Sequence, residues 1–203
     1  MQITLPEGMR KAVRADWRAH ADITTEAFSE DPVLTWMMGT QRGLKSVFRT
    51  LAREVYIPKG ECHIIPGKGA TMWEPWGADA SPGTLQLLMF ALGQTLYGSD
   101  GAMQRGMKSA EVMAANHPKD RHWYLFTIGT TKSARGQGVG KTLLRPVLEA
   151  CDRDGMPVYL ENSNPDNSGF YRAHGFERMA EPFELADGSP CMEPMWREPK
   201  PAR

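Results

Sequence analysis

The spacing of apolar and polar positions divides the chain into helical and extended stretches. Trp17, Ala21, Thr24 and Phe28 recur on one stripe, which predicts a helix over 16–28 that Asp31-Pro32 should stop. A second helical pattern covers 33–56, with breaks expected near Gly39 and Gly43. Residues 61–65 and 69–73 read as short strands around the turn Pro66-Gly67-Lys68-Gly69. Two helical stripes follow: Leu85, Leu88, Met89 and Leu92, then Met103, Met107 and 110–113. Met and Leu at this spacing are expected to pack into a core.

Residues 122–130 form the clearest strand pattern, followed by a glycine-rich turn and a helix over 138–154 that Asp154-Gly155 should end. An apolar strand is expected over 156–161. A short helix should start in Asn164-Pro165-Asp166-Asn167 and end at Gly175. Two last strands fall at 176–185 and 191–197, and 198–203 reads as a frayed tail. Strands and helices mix, with hairpins at both ends, so the class is α/β or α+β with a single sheet. A length of 203 residues suits one domain spanning 1–203.

Composition narrows the function classes. Lys+Arg and Asp+Glu are both 24, a balance that argues against broad electrostatic binding to nucleic acid or an anionic membrane. No signal peptide and no membrane span are expected. Cys62, Cys151 and Cys191 are odd in number and far apart, which fits reduced thiols in a cytoplasm better than disulfides or zinc. The histidines lack metal-ligand spacing, so no metal is expected. His20, His63, His117 and His122 read as structural or surface residues, and His174 as the residue before the turn at Gly175.

The most informative segment is Arg135-Gly136-Gln137-Gly138-Val139-Gly140-Lys141, which follows a strand and opens a helix. Glycines there let backbone approach a bulky anion with no Cβ in the way. The free N–H groups and dipole of the helix start then hold phosphate oxygens, and Arg135 and Lys141 add charge. Three phosphate ligands compete. Gly140-Lys141-Thr142 looks like the end of a P-loop, but the glycine required five residues earlier falls at 135, where Arg stands. A dinucleotide site wants G-x-G-x-x-G with an acid about 20 residues on; Glu161 suits the acid, whereas the glycines run G-x-G-x-G. A dinucleotide-binding oxidoreductase therefore stays as an alternative.

The third reading rests on more residues. Arg135 to Gly140 is similar to the GNAT superfamily pattern Gln/Arg-x-x-Gly-x-Gly/Ala, which grips the pyrophosphate of acetyl-CoA. Ile128-Gly129-Thr130 stands where that family's strand offers backbone groups to the pantetheine arm. Downstream come Val158-Tyr159-Leu160-Glu161, Asn164 or Asn167, Phe170-Tyr171 and Gly175-Phe176. Residues 117–196 resemble the puromycin-type N-acetyltransferases, Pro146 within the motif helix included; residues 1–115 match loosely, and that half usually shapes the acceptor pocket.

The resemblance implies a GNAT fold, with a mixed, largely antiparallel sheet flanked by helices. It implies acetyl transfer from acetyl-CoA to a primary amine, most naturally of a small molecule, by direct attack. A CoA-sensing module without turnover is the alternative from another class. By the same resemblance Tyr171 protonates the CoA thiolate and Glu161 acts as general base through a water. Backbone N–H groups near Thr130 face the thioester oxygen. Asn164 or Asn167 bonds the pantetheine arm while the other caps the helix. The plainer readings are a packed Tyr171 and a Glu161 that orients a loop or pairs with Arg172. Cys151, beside Asp152, is poorly placed to become a thiolate nucleophile. The helices over 84–116 are expected to wall the acceptor pocket, with Trp36, Trp73 and Trp76 as apolar surface, or else to pack in the core or at a homodimer contact.

Overall fold

The computed structural model describes residues 1–80 and 82–200. Its first strand, β1 (Arg10–Lys11), is too short to leave a pattern in the sequence. Arg10 clamps Asp16 with two hydrogen bonds of 2.5 and 2.6 Å, fixing the entry to helix α1 (Trp17–Ala27). That helix buries His20, Ala21, Ile23, Thr24 and Thr25, and the hydroxyls of Thr24 and Thr25 donate back to the carbonyls of His20 and Ala21.

Asp31-Pro32 does not act as a stop. It starts α2 (Pro32–Met38): the Asp31 carboxylate accepts from Leu34 N at 2.9 Å, and Pro32 takes the first helical position, where no N–H is needed. Of the two expected breaks, Gly39 is real. It ends α2 with φ +67°. Gly43 instead lies inside α3 (Gln41–Thr50), where an added Cβ would sit 3.1 Å from Gly98 Cα and crowd a later helix. A π-helical turn, Leu51–Tyr56, and the short α4 (Ile57–Lys59) complete this region.

Strands β2 (Glu61–Ile65) and β3 (Gly69–Glu74) form the expected hairpin, with Gly67 at φ +70° in the turn. Next come α5 (Thr84–Tyr97) and α6 (Ala102–Asn116), then β4 (Trp123–Thr130), α7 (Val139–Arg153) and β5 (Val158–Asn162). A 3₁₀ turn at Pro165–Asn167 leads into α8 (Ser168–Ala173). The single strand expected over 176–185 is two short pieces, β6 (Glu177–Arg178) and β7 (Phe183–Glu184), both against β8 (Cys191–Arg197). Residues 198–200 are not frayed: Trp196 Nε1 donates to Glu198 at 2.8 Å, and Lys200 N donates to Asp152 at 2.7 Å. The rest of that tail, 201–203, lies outside the described residues.

Among the described residues the sheet runs β1-β2-β3-β4-β5-β8-β6, with β7 attached to β8. Every pairing is antiparallel except β4 with β5. One core, including Ala21, Phe48, Val55 and Met72, lies under α1 and α3; another, with Leu144, Val147, Leu160 and Phe176, lies under α7.

The helix α5 departs from expectation. Leu85, Leu88 and Leu92 are not core residues: all three are more than 60% exposed, and Leu96 on the same stripe is 60% exposed. The face of α5 that packs inward buries Gly93 and Gln94, because Gly93 and Gly43 allow α3 and α5 to approach closely. The apolar stripe is left on the outer face.

Candidate functional site

The parallel strands β4 and β5 stay paired for only two residues each, Trp123 with Val158 and Tyr124 with Tyr159. Beyond that point they separate. A register shift against β3 helps: Met72 pairs Thr127 and Trp73 pairs Leu125, so Phe126 has no partner and bulges. Its ring stacks on Tyr56, with centroids 4.5 Å apart. The β5-side edge of β4 from Leu125 to Thr130 is thereby left without a strand neighbour, and its backbone groups border a cavity of about 1220 Å³. Single-ligand sites run to about 1,000 Å³, so this volume has room for two reactants.

At one end of the cavity lies the glycine turn. Gly136 and Gly138 sit at φ +74° and +75°, and a Cβ added at either would meet nothing within 4 Å. These glycines are therefore required by backbone conformation, and the space above them is open. The turn feeds the start of α7, where the N–H groups of Val139, Gly140 and Lys141 are the free donors of a helix N-terminus. Val139 points inward and is buried with Leu143, anchoring the turn. Gly140 lets Phe170 come within 3.3 Å of where a Cβ would stand. Gln137 secures the loop by donating to the Ser133 carbonyl at 2.7 Å. Arg135 borders the cavity and lies 3.7 Å from Glu30, which Lys132 holds at 2.6 Å. The Lys132 hydrogen bond, with Arg135 behind it, keeps the Glu30 carboxyl below its usual range. The residues present thus fit a pyrophosphate: open backbone, unpaired helix N–H groups and nearby cations.

Ile128, Gly129 and Thr130 lie on the open edge of β4. Gly129 is where α1 passes, since a Cβ there would stand 2.6 Å from that of Ala27. Across the split are Asn164 and Asn167. Asn164 is committed to the turn, accepting from Asp166 N at 3.0 Å. Asn167 makes no such cap and is exposed at the cavity wall. Tyr171 also lines the cavity, and burial, reinforced by Asp31, pushes its phenol up, so it holds its proton as a donor.

Glu161 sits at the other end. Its side chain is 1% exposed. Tyr124 donates to its Oε2 at 2.5 Å and Tyr159 to its Oε1 at 3.1 Å. Burial, then the Glu161 charge, pushes both phenols up. Arg172 is not its partner: that guanidinium reaches Glu193 at 3.5 Å. His117 Nδ1 lies 3.8 Å from Glu161 Oε1. The structure thus brings together Glu161 and two histidines that read as incidental, His117 and His122, whose ring nitrogens are 3.1 Å apart. No spacing signal linked them to Glu161, because α6 delivers His117 from a separate element. His20 and His63 are core residues, as expected. Cys151 is buried, and burial pushes its thiol up to about 12, so it is no thiolate.

The three tryptophans do not wall the cavity. Trp73 is fully buried against Trp123, Trp76 lies outside beside His122, and Trp36 faces Arg105 and a separate small core. The apolar wall comes from Phe28, Met37, Phe48, Phe90, Met103 and Met107. Helices α5 and α6 thus line the cavity through methionine and phenylalanine, and the stripe of Met103 and Met107 faces this space instead of a closed core.

Comparison with known proteins agrees with this geometry. Residues 104–176 match the model of the acetyltransferase (GNAT) family. The chain is 26% identical over 202 residues to an uncharacterized N-acetyltransferase of Schizosaccharomyces pombe, covering 91% of this chain and 81% of that protein. In fold it is similar to a structure described as histone acetyltransferase HPA2 and related acetyltransferase from Corynebacterium glutamicum. That match has TM-score 0.66 and 24% identity, over 100% of this chain and 98% of the other. It is also similar to the C-terminal condensation domain of Ebony in complex with beta-alanyl-dopamine, with TM-score 0.63 and 10% identity over 97% and 100%. No helix among the described residues is long and apolar enough to cross a membrane.

Proposed function

Because the chain carries an acetyltransferase domain of the GNAT family, we propose that it transfers acetyl from acetyl-CoA to a primary amine of a small molecule, working as one domain over 1–203 in the cytoplasm. The observation that carries this reading is the split between β4 and β5, which opens one cavity with an anion cradle at one end and a buried carboxylate at the other. Acetyl-CoA, when bound, supplies an acetyl group activated as a thioester. The turn from Arg135 through Gly136, Gln137, Gly138, Val139 and Gly140 to Lys141 would hold its pyrophosphate by backbone N–H groups and charge. The open edge at Ile128, Gly129 and Thr130 would bond the pantetheine arm, assisted by Asn167, since Asn164 is occupied as a cap. N–H groups of that edge would also face the thioester oxygen as charge develops there.

Glu161 places a buried carboxylate beside the acceptor amine and supports loss of its proton, and Tyr171 gives its phenol proton to the departing sulfur. Direct attack by the amine needs no protein nucleophile, consistent with the un-ionised Cys151. The apolar wall of Phe28, Phe48, Phe90 and Met103 suits an amine carried on a largely apolar body. Leu85, Leu88, Leu92 and Leu96 form an exposed apolar stripe along α5. A homodimer would cover them, and Leu88→Glu with Leu92→Glu should then dissociate it in sedimentation without unfolding the chain.

Thermal unfolding with acetyl-CoA, CoA, NAD and ATP in parallel tests the donor. A ligand at 100 times its dissociation constant adds about 2.7 kcal/mol. A midpoint rise with acetyl-CoA and CoA alone supports the reading. A rise with NAD and none with CoA would replace it with the dinucleotide alternative.

A further inference from the structure

The histidine pair beside Glu161 has a fixed sense of protonation. His122 Nδ1 lies 2.6 Å from the Asp120 carbonyl. A carbonyl oxygen only accepts, so that nitrogen carries hydrogen. Burial lowers the basicity of His122, with His117 adding to the effect, which keeps its ring neutral. Its Nε2 then offers only a lone pair. His117 Nε2, 3.1 Å away, must therefore be the donor between the two rings. In neutral His117 this leaves Nδ1 as a bare lone pair. It lies 3.8 Å from Glu161 Oε1, too far for a hydrogen bond, and both residues line the cavity.

Glu161 already accepts two hydrogen bonds. Each of its oxygens takes one phenol hydrogen, from Tyr124 and Tyr159, and its side chain is 1% exposed against 32% for His117. The groups facing the His117 ring are thus Glu161, His122, Tyr124 and Tyr159, with Asp120 acting through His122. Among these groups of the described residues, Glu161 brings a negative charge to the ring.

We propose that the gap between His117 Nδ1 and Glu161 Oε1 is the seat of the acceptor ammonium group, and that Nδ1, rather than a water, takes its proton. This rests on the acetyl-transfer reading above and adds the residue that does the accepting. The ammonium donates one N–H to Nδ1 and another to Oε1, so the site selects a nitrogen bearing at least two hydrogens. Transfer to Nδ1 leaves a neutral amine and an imidazolium, which the Glu161 carboxylate stabilises. The amine lone pair then attacks the thioester carbon: a C–N bond forms and the C–S bond breaks. Of the two protons the nitrogen sheds in all, one replaces the proton that Tyr171 gives to sulfur. The other leaves His117 for solvent through its exposed edge. One proton is released per turnover.

The test combines kinetics with a measurement that needs no turnover. In His117→Gln, kcat/KM for the amine should fall about 10²-fold or more, and the acid limb of its pH profile should vanish, while protection by acetyl-CoA is retained. In His117→Ala, added imidazole should restore part of the lost rate. An unchanged pH profile in His117→Gln, or no imidazole rescue, overturns the proposal while acetyl transfer by the wild type stands. Nitrogen-15 NMR of the wild-type imidazoles decides independently. Neutral His117 protonated at Nε2 and bare at Nδ1 is expected, and the opposite tautomer overturns the assignment. Wild type that acetylates no amine but shows the expected tautomer would count against the transfer reading alone.

Discussion

Tyr124 donates its phenol hydrogen to Glu161 Oε2 at 2.5 Å, across the point where their two strands part. Tyr124 is the last residue of β4 paired with β5, and Glu161 stands two residues beyond its partner Tyr159. The bond therefore spans the root of the split and ties a buried carboxylate to the strand it has left. Hydrogen bonds to charged groups contribute about 1.5–3 kcal/mol. Tyr124→Phe should lower stability by about that amount in urea unfolding, with the gain in midpoint from acetyl-CoA preserved. No loss of stability would mean the bond is replaced by solvent.

The glycine cradle makes a different demand. Gly138 at φ +75° has open space beside it, so an added methyl costs backbone strain of about 1–2 kcal/mol and intrudes on the anion site. Gly138→Ala should lower the unfolding midpoint modestly and remove most of the protection given by acetyl-CoA. Gly155, also at positive φ with open space but remote from the cradle, is the control: Gly155→Ala should show the strain and keep the protection.

Tyr171 is assigned the proton for the leaving sulfur. Tyr171→Phe keeps the ring that packs on Phe176 and Phe170. It should lower kcat about 10²-fold while leaving acetyl-CoA binding unchanged. Equal losses in binding and turnover would instead indicate a packing role.

The fold has an acid-sensitive clamp away from the site. The Arg10 hydrogen bond, opposed by partial desolvation, pulls the Asp16 carboxyl down to about 2. A folded-state value below the unfolded one means the pair stabilises fully above the ordinary carboxylate range. That contribution is lost as pH falls from there through about 2. Asp16→Asn should therefore lower the unfolding midpoint at neutral pH and differ less and less from wild type on acidification. A constant difference down to that pH would contradict the clamp.

Much of the fold was legible because its signals are local. The strand ending in Thr130, the glycine turn and the helix after it follow one another with punctuation that backbone chemistry dictates, and the hairpin at Gly67 is marked by its turn residues. Asp31-Pro32 misled because a pair that reads as a helix stop is here the cap of the helix that follows. The leucines of α5 have helical spacing, but spacing alone does not say whether a stripe meets a core or the outside. The tryptophans were attractive as cavity walls on chemistry, yet Trp73 lies on the face of β3 that packs under α7. His117 was the largest omission. It reaches Glu161 only because α6 ends beside β4 and β5, a tertiary relationship between residues 44 positions apart in a chain with no spacing rule to announce it (161 − 117 = 44).

The most direct measurement is turnover itself: the purified chain with acetyl-CoA and a panel of small primary amines, graded from polar to bulky and apolar, with release of free CoA thiol followed and the product identified by mass. Amine-dependent thiol release with acetylated product, favouring apolar amines, is the expected result. Tight acetyl-CoA binding with no acetylation of any amine in the panel would contradict it and leave a CoA-sensing module in its place.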